Sequence, residues 1–386
     1  MSSSRHLAIV AGEASGDTHG AALMRSLSES VPAIRFTGKG GPKMAAEASS
    51  SGGVMDDWIA EAGVLGLWDV LRHYGYFKRK FAILLDELAE DPPEAVILVD
   101  YPGFNVRLAK AIRRRKIPTR IIYYISPQVW AWNRRRIPEM ARALDLMICI
   151  FPFEQEIYES SGLPTVFAGH PMAGELHAVP TSERDASLLG LFPGSREREV
   201  RKIFPAMLGA AGLVLRSRPD VRVEAAAATE AHAAIMHEMA ATKGVEITIT
   251  TGASKDLMRR AAAALVCSGT ATLEAACLGL PYALVYKVAT LTYEVGIRVI
   301  RVPYLGIVNI LANRPVVREF IQHAATPAAL ADEALRLLNS TEARDRLSRD
   351  LASVVTTLGG RSNRSSGERA ATAIIECLDK ISSKVH

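Results

Sequence analysis

Several short segments pair reactive side chains with turn residues at spacings that suit chemistry on a phosphorylated, hydroxylated substrate. Asp100 closes the apolar run Ala95–Val99 and leads into Tyr101-Pro102-Gly103-Phe104-Asn105. In open parallel sheets the carboxyl ends of strands face the ligand crevice, so this carboxylate stands where a base could take the proton of an attacking alcohol. The competing role for the same acid is to cap the helix that follows.

Three turns have the make-up of phosphate cradles. Gly12-Glu13-Ala14-Ser15-Gly16-Asp17 follows an apolar run and opens a helix; glycine lets backbone approach a ligand, and a helix N-terminus offers free N–H groups and positive dipole, which makes Ser15 and Gly16 candidate binding residues. A dinucleotide fingerprint is the rival, but the spacing is not G-x-G-x-x-G and no acid closes the next run at Thr37-Gly38. Pro193-Gly194-Ser195-Arg196 repeats the pattern with an arginine suited to a departing diphosphate, making Ser195 and Arg196 the second candidates. Ser268-Gly269-Thr270 is the third, with Glu274 one turn into the helix, where a carboxylate can accept from two ribose hydroxyls. Each also has a plain reading: a tight strand–helix turn, an exposed arginine, a helix cap.

Other chemistry is not indicated. There is no D-x-D and no His/Cys cluster at ligand spacing, so neither a metal nor another cofactor is expected. The four cysteines form no C-x-x-C pair, which fits a reduced cytoplasm. Ser126-Pro127-Gln128-Val129-Trp130-Ala131-Trp132 sets two indoles beside Arg134-Arg135-Arg136, for sugar stacking, a membrane interface or ordinary core packing. Val64, Leu65, Leu67, Trp68, Leu71 and Phe77 run into Lys78-Arg79-Lys80; apolar residues ended by cations describe a segment lying on anionic lipid, or equally a buried amphipathic helix.

The elements that must position these residues follow from length and pattern. A chain of 386 residues, 49% hydrophobic and 23% charged, exceeds what one core usually serves and predicts two domains. Lys+Arg 46 against Asp+Glu 41 leaves +5, a mild excess that matters through its clusters, Arg113 to Lys116 among them. Apolar runs alternating with helical patterns predict parallel sheets: strands at 7–11, 34–37, 95–99, 120–125 and 146–150, then at 188–192, 221–226, 245–249, 263–267 and 282–286. The polar stretch near 174–184 sets a boundary at 180, giving domains 1–180 and 181–360. Helices from Pro327 to Lys380, interrupted at 360–365, end in a segment 361–386 that packs back on the first domain or onto a partner subunit. No apolar stretch reaches the roughly 18 residues of a spanning helix, so membrane contact is expected from the side.

Taken together, GEASGD (12–17), GxGGPKM (38–44), VLGLWDVLRHY, DYPGFN (100–105), SPQVWAW (126–132), PFE (152–154), FAGHPM (167–172), PGSRxxE (193–199), SGTATLE (268–274) and VNILA with Arg314, Glu319 and Gln322 resemble, in order, the lipid-A-disaccharide synthase family. The resemblance implies an α/β, GT-B-like fold of two Rossmann-like doubly wound domains facing across a cleft. It implies an inverting, metal-independent transfer of 2,3-diacylglucosamine from its UDP derivative to 2,3-diacylglucosamine 1-phosphate, giving a β(1→6) disaccharide and UDP, without nucleic acid, at the cytoplasmic face of the inner membrane, with a homodimer left open. By the same likeness Asp100 is the base, Ser195 and Arg196 hold the diphosphate, Glu274 the ribose, Asn309 lies near the nucleotide sugar, and Ser15-Gly16 face the acceptor. The family often carries a second acid where this chain has Gly103. Two alternatives are a UDP-N-acetylglucosamine 2-epimerase-like enzyme and a peripheral lipid-binding module.

Overall fold

Short apolar runs with no polar face can only be strands buried on both sides, and they become the centres of two parallel sheets. The computed structural model describes residues 5–31, 33–59, 74–289, 293, 302–359 and 364–382. Contacts divide the chain into Met1–Pro171 with Arg361–His386, and Met172–Gly360, so the boundary drawn at 180 falls inside the second unit.

In the first unit lie β1 (Arg5–Ala11), β2 (Ile34–Gly40), β3 (Val54–Asp57), β4 (Ala95–Val99), β5 (Arg120–Tyr124), β6 (Leu146–Cys149) and β7 (Thr165–Phe167). They form one parallel sheet in the order β3-β2-β1-β4-β5-β6-β7. β4 is inaccessible along its whole length. The order reverses between β1 and β4, and ligands of open α/β sheets bind outside the carboxyl ends of strands at such a point.

The second unit repeats the design with β8 (Asp185–Phe192), β9 (Arg222–Ala227), β10 (Thr248–Thr251), β11 (Ala261–Cys267), β12 (Tyr282–Tyr286) and β13 (Glu319–Ile321), ordered β10-β9-β8-β11-β12-β13 and parallel throughout. Its switch point lies between β8 and β11.

Strands β3, β7 and β13 were not expected from the apolar pattern, and β10 lies at Thr248–Thr251 rather than 245–249. The C-terminal helix Ser366–Ser382 belongs to the first unit and packs along the helix Ala14–Ser30. Ser366 Oγ donates to Gly169 O at 2.7 Å, Arg369 Nε to Ala168 O at 2.6 Å, and Arg5 pairs with Asp379.

Candidate active site

In the first unit Ala11 of β1 and Val99 of β4 are register partners, so the residues that follow them emerge side by side at the switch point. The β4 exit turns sharply: Asp100 and Tyr101 both take left-handed backbone, with φ of 45° and 50°. For residues with a Cβ each such position costs on the order of 1–3 kcal/mol, and strain of this kind collects at functional sites. Asp100 N–H extends the ladder to Tyr124 O at 2.9 Å. The following helix, Pro102–Arg114, takes Tyr101 as its N-cap and has no side-chain cap, so Asp100 is not engaged as a helix cap.

The Tyr101 ring lies over Gly12, where a Cβ would stand 2.2 Å from Tyr101 Cδ1; a side chain at position 12 would push the ring away. Phe104 packs on it from Pro102–Arg114, wedged by Trp58 and Phe81 at centroid distances of 4.9 and 5.3 Å. Trp58 Nε1 in turn donates to Ala11 O at 2.6 Å. Burial pushes the Asp100 carboxyl up to about 6, the charge of Glu13 adds to the rise, and the Tyr101 N–H opposes it. A carboxyl at about 6 is ionised at neutral pH yet basic enough to take a proton in a transition state.

Ser15 is exposed in the first turn of Ala14–Ser30, while Gly16 is buried with room for only a glycine-sized approach to Ala11. Asp17 has a role the motif did not reveal. Its buried carboxylate accepts from the backbone N–H groups of Gly41, Lys43 and Met44 at 3.0, 3.1 and 2.9 Å, closing the N-terminus of the helix Pro42–Ser50. The signal was readable in principle: a Gly-Gly-Pro helix start lacks its own capping side chain, and a Cβ on Gly41 would fall 2.7 Å from Asp17 Cγ.

The next two strand exits are tied by Glu154. Its buried carboxylate accepts from Ser126 Oγ at 2.6 Å, Trp130 Nε1 at 2.8 Å and Phe151 N at 3.1 Å, while burial lifts it to about 7. Trp130 is therefore core, whereas Trp132 is 48% exposed with the Arg136 guanidinium 5.7 Å above its ring. Val64, Leu65, Leu67, Trp68 and Leu71 lie outside the described residues; Phe77 lies in the helix Tyr74–Glu90, its side chain likewise outside them.

In the second unit Phe192 and Val266 are register partners, so the Ser195–Arg196 and Ser268–Thr270 turns leave neighbouring strands at the switch point. Gly194 has φ 112° and Gly269 φ 148°, conformations that residues with a side chain rarely adopt. Ser195 and Arg196 are exposed; Arg196 is the N-cap of Glu197–Ser217 and its Nη1 pairs with Glu199 Oε1 at 2.9 Å. Gly269 precedes the helix Thr270–Cys277, with Gly269 and Thr270 exposed and Ser268 and Glu274 half-buried. Burial raises the Glu274 carboxyl, with Lys255 opposing. Two helix N-termini thus open beside one guanidinium, an arrangement that receives anionic oxygens.

The Asn309 amide is engaged within the protein. It is 1% exposed, donates from Nδ2 to Val317 O and Glu319 Oε1 at 2.9 and 2.8 Å, and accepts at Oδ1 from Val316 N and Val317 N at 2.8 and 2.9 Å. An amide has two donors and two acceptor positions, and all are used on the protein itself. Glu319 also receives Leu305 N and Gly306 N, and Gln322 pins the Val288 peptide through both its N–H and C=O groups. These residues bond the described positions Val288, Leu305 and Gly306 that follow β12. Among the described residues no three His, Cys, Asp or Glu gather as metal ligands.

The family of lipid-A-disaccharide synthetases matches residues 7–374. The lipid-A-disaccharide synthase of Geobacter sulfurreducens is 38% identical over 388 residues, covering 98% of each chain. That of Burkholderia mallei (strain SAVP1) is 38% identical over 384 residues, 97% of this chain and 96% of the relative. Among solved structures, CalG4, the calicheamicin glycosyltransferase, superposes with TM-score 0.57 at 14% identity over 98% of this chain and 99% of its own. A UDP-GlcNAc 2-epimerase from Neisseria meningitidis gives TM-score 0.57 at 12% identity, over 97% and 100%. The structural likenesses speak for a GT-B-like fold, which transferases and epimerases share.

Proposed function

Because the chain belongs to the lipid-A-disaccharide synthase family, whose members are glycosyltransferases that form the lipid A disaccharide from a UDP-sugar donor and an acceptor, we propose that Asp100 is the general base of that transfer. The observation that carries the assignment is a desolvated carboxyl at about 6, held at the switch point of the first sheet by a strained backbone and not engaged as a helix cap.

The donor is UDP-2,3-diacylglucosamine and the acceptor 2,3-diacylglucosamine 1-phosphate. The acceptor 6-hydroxyl oxygen forms a bond to the anomeric carbon as the carbon–oxygen bond to UDP breaks on the opposite face. Asp100 takes the hydroxyl proton, and the electron pair of the broken bond leaves on the diphosphate. A single displacement inverts the anomeric centre and yields a β(1→6) link. Base catalysis contributes about 10²–10⁴ in rate.

Negative charge on the departing diphosphate is met by Arg196, the N–H groups at Ser195, Gly269 and Thr270 and the Ser268 hydroxyl, the Ser268 N–H being bonded to Val285 O, with Glu274 accepting from the ribose hydroxyls. These groups supply positive potential from the protein itself, so transfer proceeds without a divalent cation. Ser15 and Gly16 border the acceptor side.

No described helix is long and apolar enough to cross a membrane. Acylated substrates call for contact with a lipid surface, which we assign on sequence grounds to the apolar stretch 64–77 and the cations that follow it, on an anionic inner-membrane face.

The test is incubation of both acylated substrates with the enzyme and a chelator, followed by mass spectrometry. A disaccharide 1-phosphate and UDP in equal amounts support the reading. Conversion of UDP-N-acetylglucosamine alone, with no acceptor, would mark an epimerase instead.

A further inference from the structure

Left-handed backbone at two successive residues with side chains does not persist unless its surroundings enforce it. At Asp100-Tyr101 the enforcement is identifiable. The Asp100 carbonyl accepts from Tyr123 Oη at 2.6 Å and from Asn105 Nδ2 at 2.8 Å. The Asn105 amide also reaches Val99 O at 3.1 Å, so one side chain holds the peptides on both sides of the Cα of Asp100. Tyr101 O accepts from Phe104 N and Asn105 N at 3.2 and 3.0 Å, closing the turn from the helix side.

Tyr123 and Asn105 are both fully buried, which keeps them from touching a substrate. They approach from different elements, β5 and the helix Pro102–Arg114. Among the described residues Asn105 Oδ1 is buried with no hydrogen-bond partner. An unsatisfied buried carbonyl is unfavourable, so what this amide contributes is its donor half, whose two shorter bonds are directed at the backbone around Asp100 while a longer one of 3.5 Å reaches Val10 O on β1.

Resting on the reading of Asp100 as base, we propose that Asn105 and Tyr123 are positioning residues of the transfer reaction: by gripping the Asp100 carbonyl from two sides they hold the left-handed pair that aims the catalytic carboxyl. Their route of action is the backbone, and that sets the test. Glycine accepts φ near +50° without steric cost, so Tyr101→Gly relieves part of the strain they restrain.

The experiment measures kcat, KM and UDP affinity of the full chain carrying Asn105→Ala or Tyr123→Phe, each alone and with Tyr101→Gly. Asn105→Ala should lower kcat about 10–100-fold with UDP affinity within about twofold, since misdirected groups cost turnover rather than donor binding. Tyr123→Phe, which deletes one hydroxyl, should lose about 3–10-fold and serves if the alanine variant fails to fold. Measured against Tyr101→Gly alone, both losses should shrink. Losses that persist undiminished beside Tyr101→Gly, or single variants with wild-type kcat, would overturn the proposal.

Asp100→Asn separates this proposal from the reading beneath it. In that background Asn105→Ala should have no further effect on kcat, and an additional loss would show that Asn105 acts otherwise than through Asp100. Near-normal turnover of Asp100→Asn by itself would instead remove the base assignment.

Discussion

The carboxyl of Asp100 sits at about 6 because burial disfavours its charge and Glu13 repels it, and both the rate and the stability of the enzyme should register that. A base must be ionised, so kcat/KM should fall as pH drops through about 6, read from a pH–rate profile under saturating detergent. Glu13→Gln removes the repelling charge and should move that acid limb to lower pH; an unmoved limb would contradict the coupling. Stability carries the opposite sign. The folded carboxyl binds its proton more tightly than the unfolded one at 3.8, so the charged form costs stability progressively as pH rises from 3.8 to about 6. Asp100→Asn should therefore raise the unfolding free energy at pH 7.5 by on the order of 1–3 kcal/mol and lose that advantage below pH 4. The place of Asp100 at the exit of β4 could be read from the sequence because a lone acid ending an apolar run has few places to be. The bonding of Asn309 could not, since an amide's sequence context does not reveal its four backbone and carboxylate partners.

At the scale of elements, function rests on where strands end and helices begin. Arg196→Ala removes the one side-chain cation of the Pro193–Arg196 turn and should lower kcat about 10²–10³-fold while weakening UDP binding, measured by turnover and calorimetry. Asp17→Ala should act on the fold instead, leaving the N–H groups of the N-cap Gly41 and of Lys43 and Met44 in the first turn of the helix Pro42–Ser50 without this acceptor and lowering stability by about 1–3 kcal/mol in denaturant titration. The central strands were legible because Ala95–Val99 and Ala261–Cys267 are buried on both faces and carry no polar residue. β3 was not, because Val-Met-Asp-Asp at a sheet edge shows neither an apolar run nor alternation, and three-residue β7 and β13 are too short to have a period. The motifs located the turns but did not separate ligand-facing residues from scaffold: Asp17, Glu154, Asn309 and Glu319 belong to motifs and serve the chain's own backbone or core side chains.

Across the whole molecule, the two sheets share one strand order, and the residues proposed for chemistry gather at the two switch points. That organisation was legible from the alternation of apolar runs, while the return of the C-terminal helix to the first unit was left undecided by sequence, since an amphipathic helix does not name its partner. The basic clusters differ in a way composition concealed. Arg113 and the exposed Arg115 are paired with the carboxylates of Asp145 and Asp86, whereas the exposed Arg134 donates to the Trp130 carbonyl, Arg135 is exposed and Arg136 lies by the exposed Trp132. Sedimentation with anionic vesicles should accordingly weaken with salt, and more after glutamine replacement of Arg134, Arg135 and Arg136 than of Arg113 and Arg115. The central claim, that the carboxyl leaving β4 removes the proton of the attacking hydroxyl, is tested most directly by single-turnover transfer in Asp100→Asn. We expect the rate to fall about 10²–10⁴-fold with UDP affinity within about threefold of wild type. A single-turnover rate near that of the wild type would contradict it.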